Sequence, residues 1–271
     1  MIKKTCLAKE KEIQFLTVFY LFSLLLVLPL IPYVKWQLSH LEAFLLAVIG
    51  VLALVAVYLF TVAMKKLELS YIKSMENLTP IFVLIFSVLV LGEGLTGKQL
   101  VGLLIVVGSA LVFMNKEAKI FHVSFTKFLQ SRYVIYVIVA VLIGAFTVIL
   151  DRILLRTMDP LSLLFWGRLI MASGFIGLVF SGFNGLHDIK AGIKISGWLI
   201  LVYAVMHVAM VYTYNLAMFD PTAISSIVVT IRRLGLILVV IFSARILHER
   251  SMWEKLAASV AMIGGLYLML V

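Results

Sequence analysis

LGEGLTGKQLVG, residues 91–102, returns 156 positions later as LHERSMWEKLAA, residues 247–258. Leu91 and Glu93 fall on Leu247 and Glu249. The same offset puts Ile85-Phe86-Ser87 on Ile241-Phe242-Ser243 and Gly108 on Gly264. Further back, at an offset of 154, Val57-Tyr58 and Ala63-Met64 fall on Val211-Tyr212 and Ala217-Met218. A register held over so long a stretch is the mark of an internal duplication. Both copies sit among long apolar runs, so what is duplicated is a set of membrane spans.

Composition agrees. Of 271 residues, 63% are hydrophobic and 13% charged, with a mean hydropathy of +1.16. A soluble globular surface needs more polar residues than that. In a soluble protein a net charge of +10 would suggest nucleic acid. Here the basic residues cluster in short loops between apolar runs, the pattern of membrane topogenesis, and no nucleic-acid partner is implied. The single cysteine, Cys6, excludes a disulfide framework and a cysteine metal cluster.

Runs of about span length fall at Ile13–Val34, His40–Met64, Leu69–Gly92 and Gln99–Met114, then at Tyr133–Asp151, Pro160–Gly182, Ser196–Met218, Ala223–Leu247 and Met252–Val271. The first follows a Lys-rich start but is too long for a leader, has Glu10 and Glu12 before it and lacks a small-x-small site, so it reads as a retained helix. Residues 1–115 form a first repeat of four helices, 116–131 a connector and 132–271 a second repeat of five. The connector reads as a tether whose aromatics rest among headgroups, or as an interfacial helix. The duplication matches helices one to four with helices six to nine. The fifth helix, Tyr133–Asp151, has no upstream counterpart, so the opening helix of the first repeat is absent from the pattern. Either the chain begins downstream of a native start, or it has lost a helix.

Loop charge sets the orientation. Fifteen Lys and Arg residues lie on the N-terminal side; the other side has Lys35, Lys98, Arg152 and Arg156. This places the N-terminus in the cytoplasm, and an odd number of helices places the C-terminus outside.

Polar residues inside spans are the candidate functional positions, because a charge at a helix centre costs about 2.5–3.5 kcal/mol on insertion scales. In YIKSMENLTP, residues 71–80, the positions of Lys73, Glu76, Asn77 and Pro80 follow i, i+3, i+4, i+7 and share one helical face. Pro80 cannot donate to the carbonyl of residue 76, which leaves a free acceptor on the turn carrying Glu76. Projected through the repeat, Glu76 pairs with Arg232 and Asn77 with Arg233. Ser226, Thr230 and Arg233 share a face. These residues suit an anion-attracting surface, or snorkelling and a structural ion pair. Tyr203, His207, Met210 and Tyr214 form a stripe at i, i+4, i+7, i+11. His207 is a candidate proton carrier, with a reference pKa near 6.5, or a hydrogen-bonded structural histidine. Asp151 reads as a local ion pair with Arg152. The small-residue faces Gly174, Gly177, Ser181 and Ala257, Ala261, Gly265 read as close packing. Glu93 and Glu249, at span ends, read as caps or turn residues.

The paired signatures, with LDRILLRTMDPLSLLFWGRLI at 150–170, resemble the EamA-type transporters of the drug/metabolite transporter superfamily over nearly the whole chain. The resemblance implies an all-α polytopic membrane protein, an inverted repeat of five-helix units, here four plus five helices, around a central cavity. It also implies export or exchange of small metabolites and an inward-facing Arg168. The second copy departs from the pattern, with Leu236 where the first has Pro80. The family expectation of two cytoplasmic termini disagrees with the loop charges, which leaves the direction of transport open.

If the repeats are inverted, Glu76 and Arg232 cannot meet easily. Each lies 17 residues, about 25 Å, from its own surface marker, Glu93 or Glu249, in a core of about 30 Å. Lys73 and Glu76 then flank one mouth, with Asn77 and Pro80 leading inward. Arg232 and Arg233 flank the other mouth, with His207 and the tyrosines between. The expected function is secondary transport of a small polar metabolite (amino acid, amine, nucleoside or drug-like solute) by alternating access, as an exporter. Alternatives are a lipid or isoprenoid-phosphate flippase and a non-transporting scaffold. An enzyme is disfavoured, since no catalytic or phosphate-binding motif stands out, and no cofactor is called for. The implied partners are a small-molecule substrate, the lipid bilayer and a coupling proton, with a homodimer left open. The implied location is a bacterial or archaeal cell membrane.

Overall fold

The computed structural model describes residues 12–64, 66–67, 72, 75–76, 78–118, 132–182, 190, 192–194, 197–233, 260–265 and 267–269. Its helices are α1 (Glu12–Val27), α2 (His40–Met64), α3 (Thr79–Phe86), α4 (Gly97–Ala118), α5 (Arg132–Leu154), α6 (Pro160–Gly182), α7 (Leu199–Phe219) and α8 (Ser225–Arg233). Residues 260–265 and 267–269 are also helical. Each apolar run of the sequence thus carries helix among the described residues. Five are long and apolar enough to cross a membrane: Ile13–Tyr33, His40–Met64, Arg132–Leu154, Pro160–Phe180 and Leu199–Phe219. The chain is an all-α, multi-pass membrane protein.

Local chemistry explains three of the helix starts. Ser39 and Glu42 form a reciprocal capping box at α2: the Glu42 N–H donates to Ser39 Oγ at 3.2 Å, and the Ser39 N–H to Glu42 Oε2 at 2.9 Å. Thr96 and Gln99 do the same for α4. Asp159 accepts from the N–H groups of Leu161 and Ser162 ahead of α6, with Pro160 at its first position.

Two spans depart from the regular helix expected. After Val27 the first tightens into a 3₁₀ segment, Leu28–Tyr33, which contains Pro32; Pro29 and Pro32 cannot supply α-helical N–H donors. The third was expected as one helix over Leu69–Gly92. Instead α3 starts at Thr79 with Leu78 as N-cap and Pro80 in its first turn, and it widens into a π segment at Ser87–Leu91. Gly92 closes that segment at φ 69°, a left-handed conformation that suits glycine. Helical Glu76 and Pro80 of α3 are thus separated by a turn at Leu78, while Lys73 and Asn77 lie outside the described residues.

The contacts divide the chain into two compact units, each drawing on both sequence repeats. Unit 1 comprises Met1–Thr61 and Leu150–Pro221. In it α1 packs on α6 and α7 packs on both. One core cluster joins Val18, Phe19 and Tyr20 to Met171, Phe175, Ile200 and Ala204; another joins Val27 and Val34 to Leu164 and Phe165. Helices α2 and α6 interlock through small residues: a Cβ on Gly50 would strike Ile170, and one on Gly174 would strike Leu54. Close packing at Gly174 is as expected. Gly177 instead has open space where a Cβ would go.

Two cations counted as loop charges are structural in unit 1. Lys35 Nζ pairs with Glu42 at 2.9 Å and donates to the Thr157 carbonyl at 3.3 Å. The Lys35 N–H donates to Ser162 Oγ, and its carbonyl accepts from Trp166 Nε1. Arg152 is 6% exposed and donates to the carbonyls of Met218, Asp220 and Pro221, at the C-terminal end of α7. Arg152 is thus a cation on a helix C-terminus, where backbone carbonyls concentrate.

Unit 2 comprises Val62–Ile149 and Thr222–Val271. Here α3 packs on α8, with Leu103, Val106, Val107, Ile227 and Met269 as core. Gly102 of α4 and Gly265 meet face to face. A Cβ on Gly102 would lie 2.5 Å from the Gly265 carbonyl oxygen, and one on Gly265 would lie 2.8 Å from that of Gly102. Ala257 lies outside the described residues.

Candidate functional site

The polar centre of unit 1 is Arg168 with His207. Asn215 of α7 donates to the Pro160 carbonyl at 3.3 Å, which levels the end of α7 with the start of α6. Arg168 lies eight residues from Pro160 and His207 eight from Asn215 (168 − 160 and 215 − 207). Each is therefore about 12 Å from that level along its helix, close to mid-depth of a core of about 30 Å. There Arg168 Nη2 lies 3.1 Å from His207 Nδ1. Arg168 is 6% exposed.

Arginine only donates. His207 Nδ1 must therefore be the acceptor, which makes the ring neutral with its hydrogen on Nε2. The ring is held by aromatics: Phe19 meets it edge-to-face at 5.1 Å, and Tyr203 lies 6.0 Å away. Phe19 also touches Tyr20 and Tyr203, and Tyr20 stacks on Phe175 at 5.1 Å. Separately, a cavity of about 420 Å³ lies among Leu26, Leu30, Leu161, Leu164, Val205, Val208, Ala209 and Tyr212. Its walls are almost wholly apolar.

Sequence reasoning named Tyr203 and His207 on one stripe and Arg168 apart from them, and the fold brings Arg168 to His207. It missed Phe19 and Tyr20, which look like ordinary span residues. The stripe on α7 divides: Tyr214 is 7% exposed, whereas Tyr203 is 46% exposed.

In unit 2 the feature of note is Glu93 of the repeated signature. Its Oε2 accepts from the Ser225 N–H at 2.8 Å, and its Oε1 from Ser225 Oγ at 2.9 Å. Glu93 thus caps α8 across 132 residues, placing a carboxylate where the helix dipole favours one. A cap was the expected role, although its partner was not foreseen. Glu93→Ala is expected to lower stability by about 0.5–2 kcal/mol, the worth of an N-cap, read as a fall in thermal unfolding temperature in detergent. Glu93→Gln, which keeps one acceptor, should lose less.

The remaining candidates divide as follows. The Glu76 carbonyl, freed by Pro80, accepts from Thr79 Oγ1 at 2.5 Å; Glu76 is half-buried and Pro80 buried. Thr230 is buried, and its hydroxyl donates to the Ser226 carbonyl of its own helix. Arg232 is exposed. The Glu93–Ser225 contact fixes an axial level in unit 2. Arg232 lies seven residues from it along α8 (232 − 225), about 10 Å by helical rise. Lys73, Asn77 and the side chain of Arg233 lie outside the described residues.

The EamA-like transporter family matches residues 1–115 and 131–271 of the chain. No curated protein matches it. Among solved structures, one titled as the crystal structure of a protein is similar with a TM-score of 0.68, at 14% identity, over 96% of this chain and 88% of that one. At that identity the likeness concerns the fold.

Proposed function

The chain belongs to the EamA-like transporter family, and on that premise we propose that it is a secondary transporter that exports a small polar metabolite by alternating access. The cytoplasmic membrane of a bacterium or archaeon is the proposed location. The observation that carries the reading is the Arg168–His207 pair, a charged and a titratable side chain joined near mid-depth of unit 1 within an aromatic cluster. Charged groups at such depth are costly and mark solute or proton pathways. His207 is the proposed proton carrier, and Tyr203 with Tyr214 the proposed solute contacts. Glu76, Lys73, Asn77 and Pro80 form one proposed mouth, and Thr230, Arg232 and Arg233 the other.

Flux of labelled amino acids, amines and nucleosides into proteoliposomes tests the proposal. Saturable uptake of one class is the expected outcome, and absence of saturable flux for all of them overturns it. Lipid scrambling in the same vesicles would favour a flippase instead. Glu76→Gln is expected to abolish flux or uncouple it from pH while insertion stays intact. Wild-type flux in that variant removes Glu76 from the pathway.

A further inference from the structure

We propose that the apolar cavity of unit 1, among α1, α6 and α7, holds one acyl chain of a membrane lipid as a resident part of the fold. The inference goes beyond the transport reading and stands without it.

The cavity lies where the first span changes form. Leu26 and Leu30, which line it, flank the passage from α-helix to 3₁₀ segment between Val27 and Leu28. Pro29 and Pro32 hold the chain in that tighter coil, which covers less of its neighbours than a full α-helix would. On α7 the lining residues Val205, Val208, Ala209 and Tyr212 recur at i, i+3, i+4, i+7 and form one stripe. Leu164 of α6 is 3% exposed and forms the closed wall. Val205 is 47% exposed and Ala209 is exposed, so the side toward α7 is open.

Depth points to the occupant. Measured from the level where Asn215 meets Pro160, the lining runs from Leu161, one residue in, to Val205, ten residues in (161 − 160 and 215 − 205). Ten residues of helix rise about 15 Å, the depth of one leaflet in a core of about 30 Å. The shallow end lies in an aromatic belt. There the Lys35 N–H donates to Ser162, next to Leu161, and Trp36 meets Phe165 and Trp166 edge-to-face at 5.6 Å. The one polar group among the lining side chains is the Tyr212 hydroxyl, which belongs to this end, three residues from Asn215. A lipid whose chain fills the groove has its ester carbonyls at that level.

Width and chemistry exclude the other occupants. A volume of about 420 Å³ spread over about 15 Å gives a cross-section of about 28 Å² (420/15). That admits one extended hydrocarbon chain, whereas an α-helix with its side chains is about 10–12 Å across. Water does not stay in so apolar a space. A small polar solute would leave its own polar groups unpaired there. Left unfilled, the groove would cost its walls their packing contacts. An acyl chain enters through the open side without leaving hydrocarbon. Lys35, at the shallow end, is already paired with Glu42, so the fit of the chain, rather than headgroup charge, selects the lipid.

The probe is a phosphatidylethanolamine whose palmitoyl-length chain carries a photoreactive diazirine near its middle. Wild-type protein is reconstituted with it, washed in detergent to strip freely exchanging lipid, illuminated and mapped by mass spectrometry. Adducts should be about tenfold more frequent per residue at Leu30, Val205 and Ala209 than at Leu104 or Val139, exposed residues of α4 and α5, a preference of about 1.4 kcal/mol. Ala209→Phe places a ring in the open side and should erase the excess. Met206→Phe, at an exposed position of the same helix outside the lining, should keep it. Even labelling of exposed apolar residues, no adducts after washing, or an excess that survives in Ala209→Phe would each overturn the proposal. So would displacement of the adducts by a water-soluble solute that the protein carries, which would give the groove to that solute and leave the transport reading standing. The wild-type map does not depend on any variant folding.

Discussion

Arg152→Met is expected to lower unfolding stability by about 3 kcal/mol and to cut the yield of folded protein sharply. Burial of a charge is not the reason, since an apolar isostere of similar length often replaces a buried ion at little cost. The reason lies in what the guanidinium touches. It donates to the carbonyls of Met218, Asp220 and Pro221, where α7 ends. Methionine has no donor to offer them. Asp220 and Pro221 are exposed and can turn to water, but Met218 is fully buried. An orphaned buried acceptor costs about 1–3 kcal/mol, and the mismatch in shape around the shorter chain adds to it. Arg152→Lys should recover only part, because an ammonium is a point donor and cannot span three carbonyls. Denaturant unfolding in mixed micelles reads both. Wild-type stability in Arg152→Met would mean that the α7 end is held by something else.

Gly102→Val is expected to be as damaging, by about 2–4 kcal/mol, for a different reason. Its Cβ would lie 2.5 Å from the Gly265 carbonyl oxygen and 3.1 Å from the Met269 backbone nitrogen. Neither obstacle is a side-chain tip that can swing aside. The two helices must separate, which also opens the contacts of Leu103, Val106 and Met269. Gly108→Ala, one and a half turns along the same helix, meets nothing within 4 Å and should be neutral. A size-exclusion profile and unfolding temperature for the pair separate helix–helix collision from any general intolerance of α4 to substitution.

How far the sequence carried the fold depends on the kind of signal. The bounds of α2 and α6 were legible to the residue, because uninterrupted apolar runs there begin at Ser39-x-x-Glu42 and Asp159-Pro160 and end at polar or glycine-rich breaks. The third span was not. What divides it is Pro80, and the carbonyl that Pro80 frees is taken by the Thr79 hydroxyl, a local event that a reading by span length passes over. The membership of the candidate site was partly legible, since Arg168 and His207 are conspicuous among apolar neighbours. Their meeting was not, because it depends on the axial level set by Asn215 and Pro160. Phe19 and Tyr20 were invisible for a simpler reason: an aromatic in a span is ordinary until its neighbours are known. The two cations at Lys35 and Arg152 illustrate the converse. They count as topogenic charges by position, and the structure occupies them with Glu42 and with backbone carbonyls. Setting them aside leaves the loop-charge asymmetry larger.

The division into compact units has a consequence for how the protein is made. Unit 1 needs Met1–Thr61 and then Leu150–Pro221; unit 2 needs Val62–Ile149 and then Thr222–Val271. A ribosome that has released 149 residues has therefore completed neither. Helices α1 and α2 enter the bilayer early and wait, through the synthesis of α3, α4 and α5, for α6 and α7 to cover the faces of Phe19 and Gly50. Domains of a nascent chain usually close in the order they emerge. Here the first stable body closes only once Pro221 has been added, and until then lipid or the insertion machinery must shelter the half-built cluster around α1.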